Sequence, residues 1–189
     1  MTVLLPQKKF TLDEVNQMEE AGLFAGRRFE LIDGNLIDKM GHRPPHASAI
    51  YRCTQILARL FGLGLIRSQL PIQAGDRDRK WSEPQPDFAV VHEYKSEFES
   101  RHPVGTELAL VIEVSDTTLA QDKTTKRDIY ARCGVPEYWV LDLNGRALLV
   151  HRDLDITRAN YGNIRVYREG EFVSVASQEI SVSSLLPQA

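Results

Sequence analysis

Two acids and a lysine, each set where the surrounding pattern asks for an apolar residue, define the chemistry open to this chain. Pro86-Asp87 opens the run Phe88-Ala89-Val90-Val91, and Glu113 directly follows Leu108-Ala109-Leu110-Val111-Ile112. A continuously apolar run of that kind suits a central strand covered on both faces, so the Glu113 carboxylate is carried into an interior. Buried carboxylates are costly unless they are paired or bound to a cation. Two of them on neighbouring strands supply the oxygen donors that a hard cation such as Mg²⁺ takes, with water completing its octahedron. Taken alone, Asp87 could equally cap a strand end.

The helix expected after Glu113 adds the positive charge. Leu119, Lys126, Tyr130 and Cys133 follow one another at spacings of seven, four and three, which is one face of a helix. A lysine on that face either snorkels to solvent or points at an anionic site at the edge of the sheet. Lys123 is its nearest competitor, but it lies about 60° further round the helix. Other candidates have plainer readings. Glu30 shares a strand face with Ile32 and could turn inward or form a surface salt bridge. His46 reads as an ordinary residue at a helix start, Tyr138-Trp139 as core, and Asp142 as a strand-end acid. Arg77-Asp78-Arg79-Lys80-Trp81 reads as a solvated turn, although it could touch a phosphate backbone.

The elements that must position these residues can be read in order. Thr11 and Glu14 form a capping box ahead of a first helix that ends at Gly22. Residues 28–32 and 35–39 flank Asp33-Gly34, a type I′ hairpin signal. After the loop Gly41-His42-Arg43-Pro44-Pro45, a second helix is expected over about 46–61. Strands are expected over about 65–74, 87–91 and 108–114, and a helix over about 117–133 that stops at Gly134 and Pro136. Further strands follow over 137–143, 146–151, 164–167 and 172–175. The middle unit reads αβββαβ, so strands 108–114 and 137–143 should run parallel across a helical crossover.

The ordered set Phe29-Glu30-Leu31-Ile32-Asp33-Gly34, His46, Pro86-Asp87, Leu110-Val111-Ile112-Glu113-Val114-Ser115, Asp122 with Lys126 and Tyr130, and Gly134-Val135-Pro136-Glu137-Tyr138-Trp139 resembles the PD-(D/E)XK nuclease superfamily. Within it the match is closest to a restriction-endonuclease-like family abundant in cyanobacteria, over about residues 10–185. The resemblance implies an α/β (α+β) restriction-endonuclease-like fold: a mixed sheet with the αβββαβ core, an N-terminal helix-hairpin and a C-terminal β-rich extension. It implies that Asp87 and Glu113 are the metal carboxylates, that the Val114 carbonyl is a backbone ligand, and that Glu30 is an additional upstream acid. The superfamily's usual lysine, two positions after the Glu, is replaced here by Ser115, and Lys126 on the following helix takes its place.

Composition narrows the partners. The 189 residues carry 23 Lys+Arg against 26 Asp+Glu, a net charge of −3, with 42% hydrophobic residues. One ordinary globular domain over residues 1–189 is expected, and binding to nucleic acid through bulk positive charge is not. Cys53 and Cys133, 80 residues apart, have no metal-ligand spacing and read as buried apolar groups of a reducing cytosol. The short Val3-Leu4-Leu5 stretch before Pro6 is no signal peptide, so a cytoplasmic location without a membrane span is expected. The expected activity is a Mg²⁺-dependent endonuclease (Mn²⁺ as the alternative ion) acting on phosphodiester bonds, in DNA rather than RNA. One rival is a nucleic-acid-binding or assembly protein that kept the fold and lost turnover; another is a phosphoesterase of smaller substrates. Apolar positions of the β-rich tail (Leu148, Val150, Ile164, Val166, Phe172) suggest a homodimer.

Overall fold

In the computed structural model, residues 7–39 and 43–188 are described. The Val3-Leu4-Leu5 stretch and the Gly41-His42 part of the expected loop lie outside them.

The chain begins with α1 (Leu12–Glu20), where Thr11 and Glu14 complete the expected capping box. The hairpin β1 (Phe29–Ile32) and β2 (Asn35–Asp38) follows. Its turn has Asp33 at φ 48° and Gly34 at φ 72°, the two positive values a type I′ turn requires. Helix α2 (Pro44–Phe61) starts two residues earlier than expected, because its two prolines occupy the first turn, where the missing N–H groups cost nothing.

A six-stranded sheet forms the centre. It comprises β3 (Ile66–Ser68), β4 (Phe88–Val91), β5 (Leu108–Ser115), β6 (Tyr138–Asp142), β7 (Ala147–Asp155) and β8 (Asn160–Arg168), arranged in chain order. Neighbours are antiparallel except β5 and β6, which are parallel as expected. The helical crossover α3 between them spans 119–133: Leu119–Gln121, a π-helical turn over Asp122–Lys126, then Arg127–Cys133. The hairpin β9 (Phe172–Val175) and β10 (Gln178–Ser181) and the short α4 (Val182–Leu185) complete the chain.

Several expected boundaries are corrected. The strand expected over 65–74 shrinks to β3, because Gln69 takes φ 54° and Pro71 has no N–H to donate to a ladder. The strands expected over 146–151 and 164–167 are the longer arms of one hairpin, in register from Ala147↔Arg168 to Asp155↔Asn160. Leu148 and Val150 are not surface edges but core residues; of the tail positions named above, Ile164, Val166 and Phe172 are the exposed ones. The Arg77–Trp81 cluster is a structural turn: Asp78 accepts from Arg132 Nε at 2.6 Å, and Gly34 N–H donates to the Trp81 carbonyl. Tyr138 and Trp139 are core, as expected, and both cysteines are buried and free. No helix among the described residues is long and apolar enough to cross a membrane.

The sheet is covered on both faces. On one, Ala49, Cys53 and Leu57 of α2 pack with Phe88, Ile112, Trp139 and the C-terminal hairpin. On the other, Ile129, Tyr130 and Cys133 of α3 pack with Ala89, Val111, Tyr138 and Val140. The seat of α3 is close: a Cβ built on Gly105, just ahead of β5, would lie 2.3 Å from the Cys133 carbonyl oxygen. Gly105→Ala should therefore cost about 1–3 kcal/mol through overpacking, read as a lower urea midpoint; an unchanged midpoint would mean that this backbone contact yields.

Candidate functional site

The ends of β4 and β5 hold the acids. The antiparallel ladder of β4 and β5 ends at Phe88↔Ile112, with Asp87 just before β4 and Glu113 next after Ile112 on β5. Both are buried, at 4% and 3% exposure, and both line one cleft of about 320 Å³ with Glu30, His46, Val114 and Lys126. The backbone fixes Asp87 firmly: Val114 N–H donates to its Oδ2 at 2.8 Å, and its own carbonyl accepts from Gln69 N–H at 3.1 Å.

Lys126 is the hub of the site. Its Nζ lies 2.8 Å from Glu30 Oε1, 3.0 Å from Glu113 Oε1 and 3.9 Å from Asp122 Oδ1, with its side chain 4% exposed. Lys123, the competitor, is exposed. The π-helical turn accounts for the arrangement. It places Lys123, Thr124 and Thr125 together on the solvent side and returns both Asp122 and Lys126 to the interior. Single π turns of this kind often sit at functional sites. Glu30, on β1, is turned inward rather than into a surface pair; Gln85 N–H donates to its Oε2 at 3.2 Å, and Lys39 Nζ lies 4.0 Å away. Ser115 is buried beside Thr118 and brings no charge.

Three residues that the resemblance named without a role take places in the site. His46 Nε2 lies 3.4 Å from Asp87 Oδ2. Tyr130 donates its hydroxyl to Glu113 Oε1 at 2.5 Å. Asp122 is buried and accepts from Thr118 Oγ1 at 2.6 Å. A signal for Asp122 existed, because it stands four residues before Lys126 on a helix, where opposite charges meet. Tyr130 was already on the inward stripe, its hydroxyl hidden behind a core assignment. Nothing local marks His46, whose neighbour is supplied by the packing of α2 on the sheet.

The electrostatics are those of an acid-rich pocket. Burial pushes Glu113 up to about 7, against the opposing pull of Lys126 and Lys39. Burial also raises Asp122, with Lys126 pulling the other way. Burial would raise Asp87 too, but the bond and charge of His46, the charge of Lys39 and the Val114 N–H outweigh it and hold the group below its ordinary value. Burial would lower Lys126, yet the charges of Glu113, Glu30 and Asp122 keep it above the usual lysine range and permanently protonated. Glu30, Glu113 and Asp122 are thus three buried acids around one buried lysine, with a fourth buried acid, Asp87, beside His46, and Lys39 near Glu30.

That surplus of negative charge is what a divalent cation would offset. Among the described residues, no three His, Cys, Asp or Glu side chains are grouped closely enough to hold an ion by themselves. The residues present fit an ion such as Mg²⁺ that keeps several waters and takes one or two carboxylates: Asp87 and Glu113, with the Val114 carbonyl beside them.

In the absence of metal, the raised Glu113 has a definite consequence. The folded chain binds this proton more tightly than the unfolded chain, where the group titrates near 4.5. Its stabilising contribution is full below that value and is lost as pH rises through about 7. In metal-free urea unfolding, Glu113→Gln should therefore gain on the wild type by about 1–3 kcal/mol between about pH 5 and pH 8. A constant difference across that range would mean that Glu113 titrates normally.

Comparison with known proteins agrees with this geometry. The chain resembles a crystal structure from Anabaena variabilis described as a "putative nuclease belonging to DUF820", with a TM-score of 0.63 and 19% sequence identity, over 93% of this chain and 97% of that one. At that identity the likeness establishes the fold. A comparison with curated proteins finds no match. The family model Uma2, described as "Putative restriction endonuclease", matches residues 12–185. That span holds the sheet, both covering layers and every residue of the cleft, and the chain belongs to the Uma2 restriction-endonuclease-like family.

Proposed function

We propose that the protein is a divalent-cation-dependent endonuclease that hydrolyses phosphodiester bonds, in DNA rather than RNA. The observation that carries this reading is the buried Lys126 held among Glu30, Glu113 and Asp122, with the buried Asp87 lining the same cleft as Glu30, Glu113 and Lys126. A protein that kept the fold only as a binding scaffold would gain nothing from that burial, since apolar substitutes are commonly neutral or stabilising.

Asp87 and Glu113 would hold the ion, Mg²⁺ or Mn²⁺, with the Val114 carbonyl. A divalent cation bound there supplies Lewis acidity toward water and toward a phosphate oxygen. Lys126 is no proton acceptor, because the acids around it keep it charged; it presents a fixed positive charge to the charge developing on the phosphate. Glu30 and Asp122 hold that ammonium in place from two sides. Tyr130 and Lys126 both donate to Oε1 of the Glu113 carboxylate, which fixes its orientation through that oxygen. On the rim, Arg28 and Arg43 offer exposed cations to a polyanion without making the cleft floor basic.

The test is metal-dependent nicking of supercoiled plasmid. Asp87→Ala and Glu113→Gln should abolish it. Lys126→Met, which keeps the stem and removes the charge, should slow it by about 10²-fold or more, while Lys123→Met should cleave like the wild type. Retained DNA binding with no cleavage by the wild type in either Mg²⁺ or Mn²⁺ would favour a binding protein instead.

A further inference from the structure

Acids are spread through the chain except over one stretch. From Lys39 to Gly75 there is no Asp or Glu, although the chain has 26, while five of its 23 Lys+Arg fall there: Lys39, Arg43, Arg52, Arg59 and Arg67. The stretch carries a formal +5 and the other residues together −8. A net charge of −3 thus conceals a basic segment of the sort that attracts a polyanion. Three of its cations are placed already. Lys39 and Arg43 line the cleft, and Arg67 sits over the Phe98 ring and beside His102. Arg52 and Arg59 remain, both on α2.

At about 100° per residue, Ser48, Tyr51, Arg52, Gln55 and Arg59 fall within an arc of about 100° on that helix. The arc excludes Ala49, Cys53, Ile56 and Leu57, which pack into the core. Tyr51 is 67% exposed, Gln55 and Arg59 are exposed, and Ser48 and Arg52 are half-buried. Among the described residues, neither Arg52 nor Arg59 forms an ion pair, whereas Arg101, Arg132, Arg146 and Arg152 are each matched by an acid. A guanidinium on an acid-free helix keeps its fork of donors for a phosphate. Hydroxyl and amide side chains such as those between them also serve as phosphate donors.

The stripe leads away from the cleft. Arg43 and His46 line the cleft at the start of α2, and Ser48 and Arg52 line an adjoining depression of about 500 Å³. Asp116 borders both, with Arg43 3.7 Å from it, and Arg146 in the depression is held by Glu169. From Arg43 to Arg59 the helix rises about 24 Å, or about seven base steps of a duplex.

We propose that the outer face of α2 is a docking track for duplex DNA on one side of the cut, with Arg52 and Arg59 as phosphate contacts and Ser48, Tyr51 and Gln55 as neutral donors between them. This inference rests on the nuclease reading above and adds the path the substrate takes away from the cleft. Backbone contacts of this kind hold and orient the duplex without reading its sequence. The track lies outside the acid cluster, so binding along it does not require a metal.

The test measures binding of a fluorescently labelled DNA duplex to the full chain by anisotropy, in EDTA and over a range of salt. The wild type should bind, with log affinity falling linearly against log salt. Joint Arg52→Gln and Arg59→Gln should flatten that slope by about 1 per arginine and weaken binding at low salt by about 10-fold or more, with circular dichroism unchanged. Joint Arg52→Lys and Arg59→Lys, which keep the charge, should retain the wild-type slope. Arg158→Gln, which removes an 84% exposed cation from the β7–β8 turn, should change neither quantity. A wild-type slope in the joint glutamine variant would overturn the proposal and leave the nuclease reading, tested by plasmid nicking, standing. Binding confined to the corresponding RNA duplex would overturn DNA as the occupant of the track. A wild type that neither binds DNA nor nicks plasmid in Mg²⁺ or Mn²⁺ would overturn both readings.

Discussion

Burial of the Lys126 ammonium among Glu30, Glu113 and Asp122 is the interaction on which the rest of the site depends. A lone charge at that depth would cost several kcal/mol, and so would each acid without the lysine. The three acids come from β1, β5 and α3, so the ion cluster also ties the N-terminal hairpin and the crossover helix to the central strand. Its charges do not cancel. The negative excess is extended by the buried Asp87, which lines the same cleft.

The acids were legible in the sequence because they interrupt apolar strand patterns, and Lys126 because it interrupts an apolar helix face. The helix itself is less regular than its spacing implied. Its π turn inserts an extra residue, yet the stripe reading survives because that residue falls within the exposed arc of Lys123, Thr124 and Thr125. The place of His46 in the site, though the residue belonged to the set that carries the resemblance, was illegible for a physical reason. A polar residue in the first turn of a helix looks the same whether it faces water or a carboxylate, and only the seating of α2 on Phe88 and Ile112 decides which. The long hairpin of β7 and β8 escaped in part because β8 is exposed at seven of its nine positions, leaving no alternation to read.

The position of the cleft follows from the sheet. β5 pairs antiparallel with β4 and parallel with β6. The parallel step needs a crossover, and that crossover is α3, which carries Asp122, Lys126 and Tyr130. The antiparallel step brings Asp87 to the Val114 N–H of β5. One central strand thereby recruits an acid from one neighbour and a cation from the connection to the other, all at the same end of the sheet.

The dispersal of these residues along the chain bears on when the site can come into being. Glu30, His46, Asp87, Glu113 and Lys126 belong to five separate segments, and the sheet that aligns them relies on pairings distant in sequence. Topologies dominated by non-local pairing fold slowly, since loop closure is paid before the contacts that repay it. A chain emerging from the ribosome has its hairpin and α2 long before β5 and α3 exist to face them. The residues cannot act together until synthesis has passed α3 and the sheet has closed, so a partly made chain carries the acids without the assembled pocket.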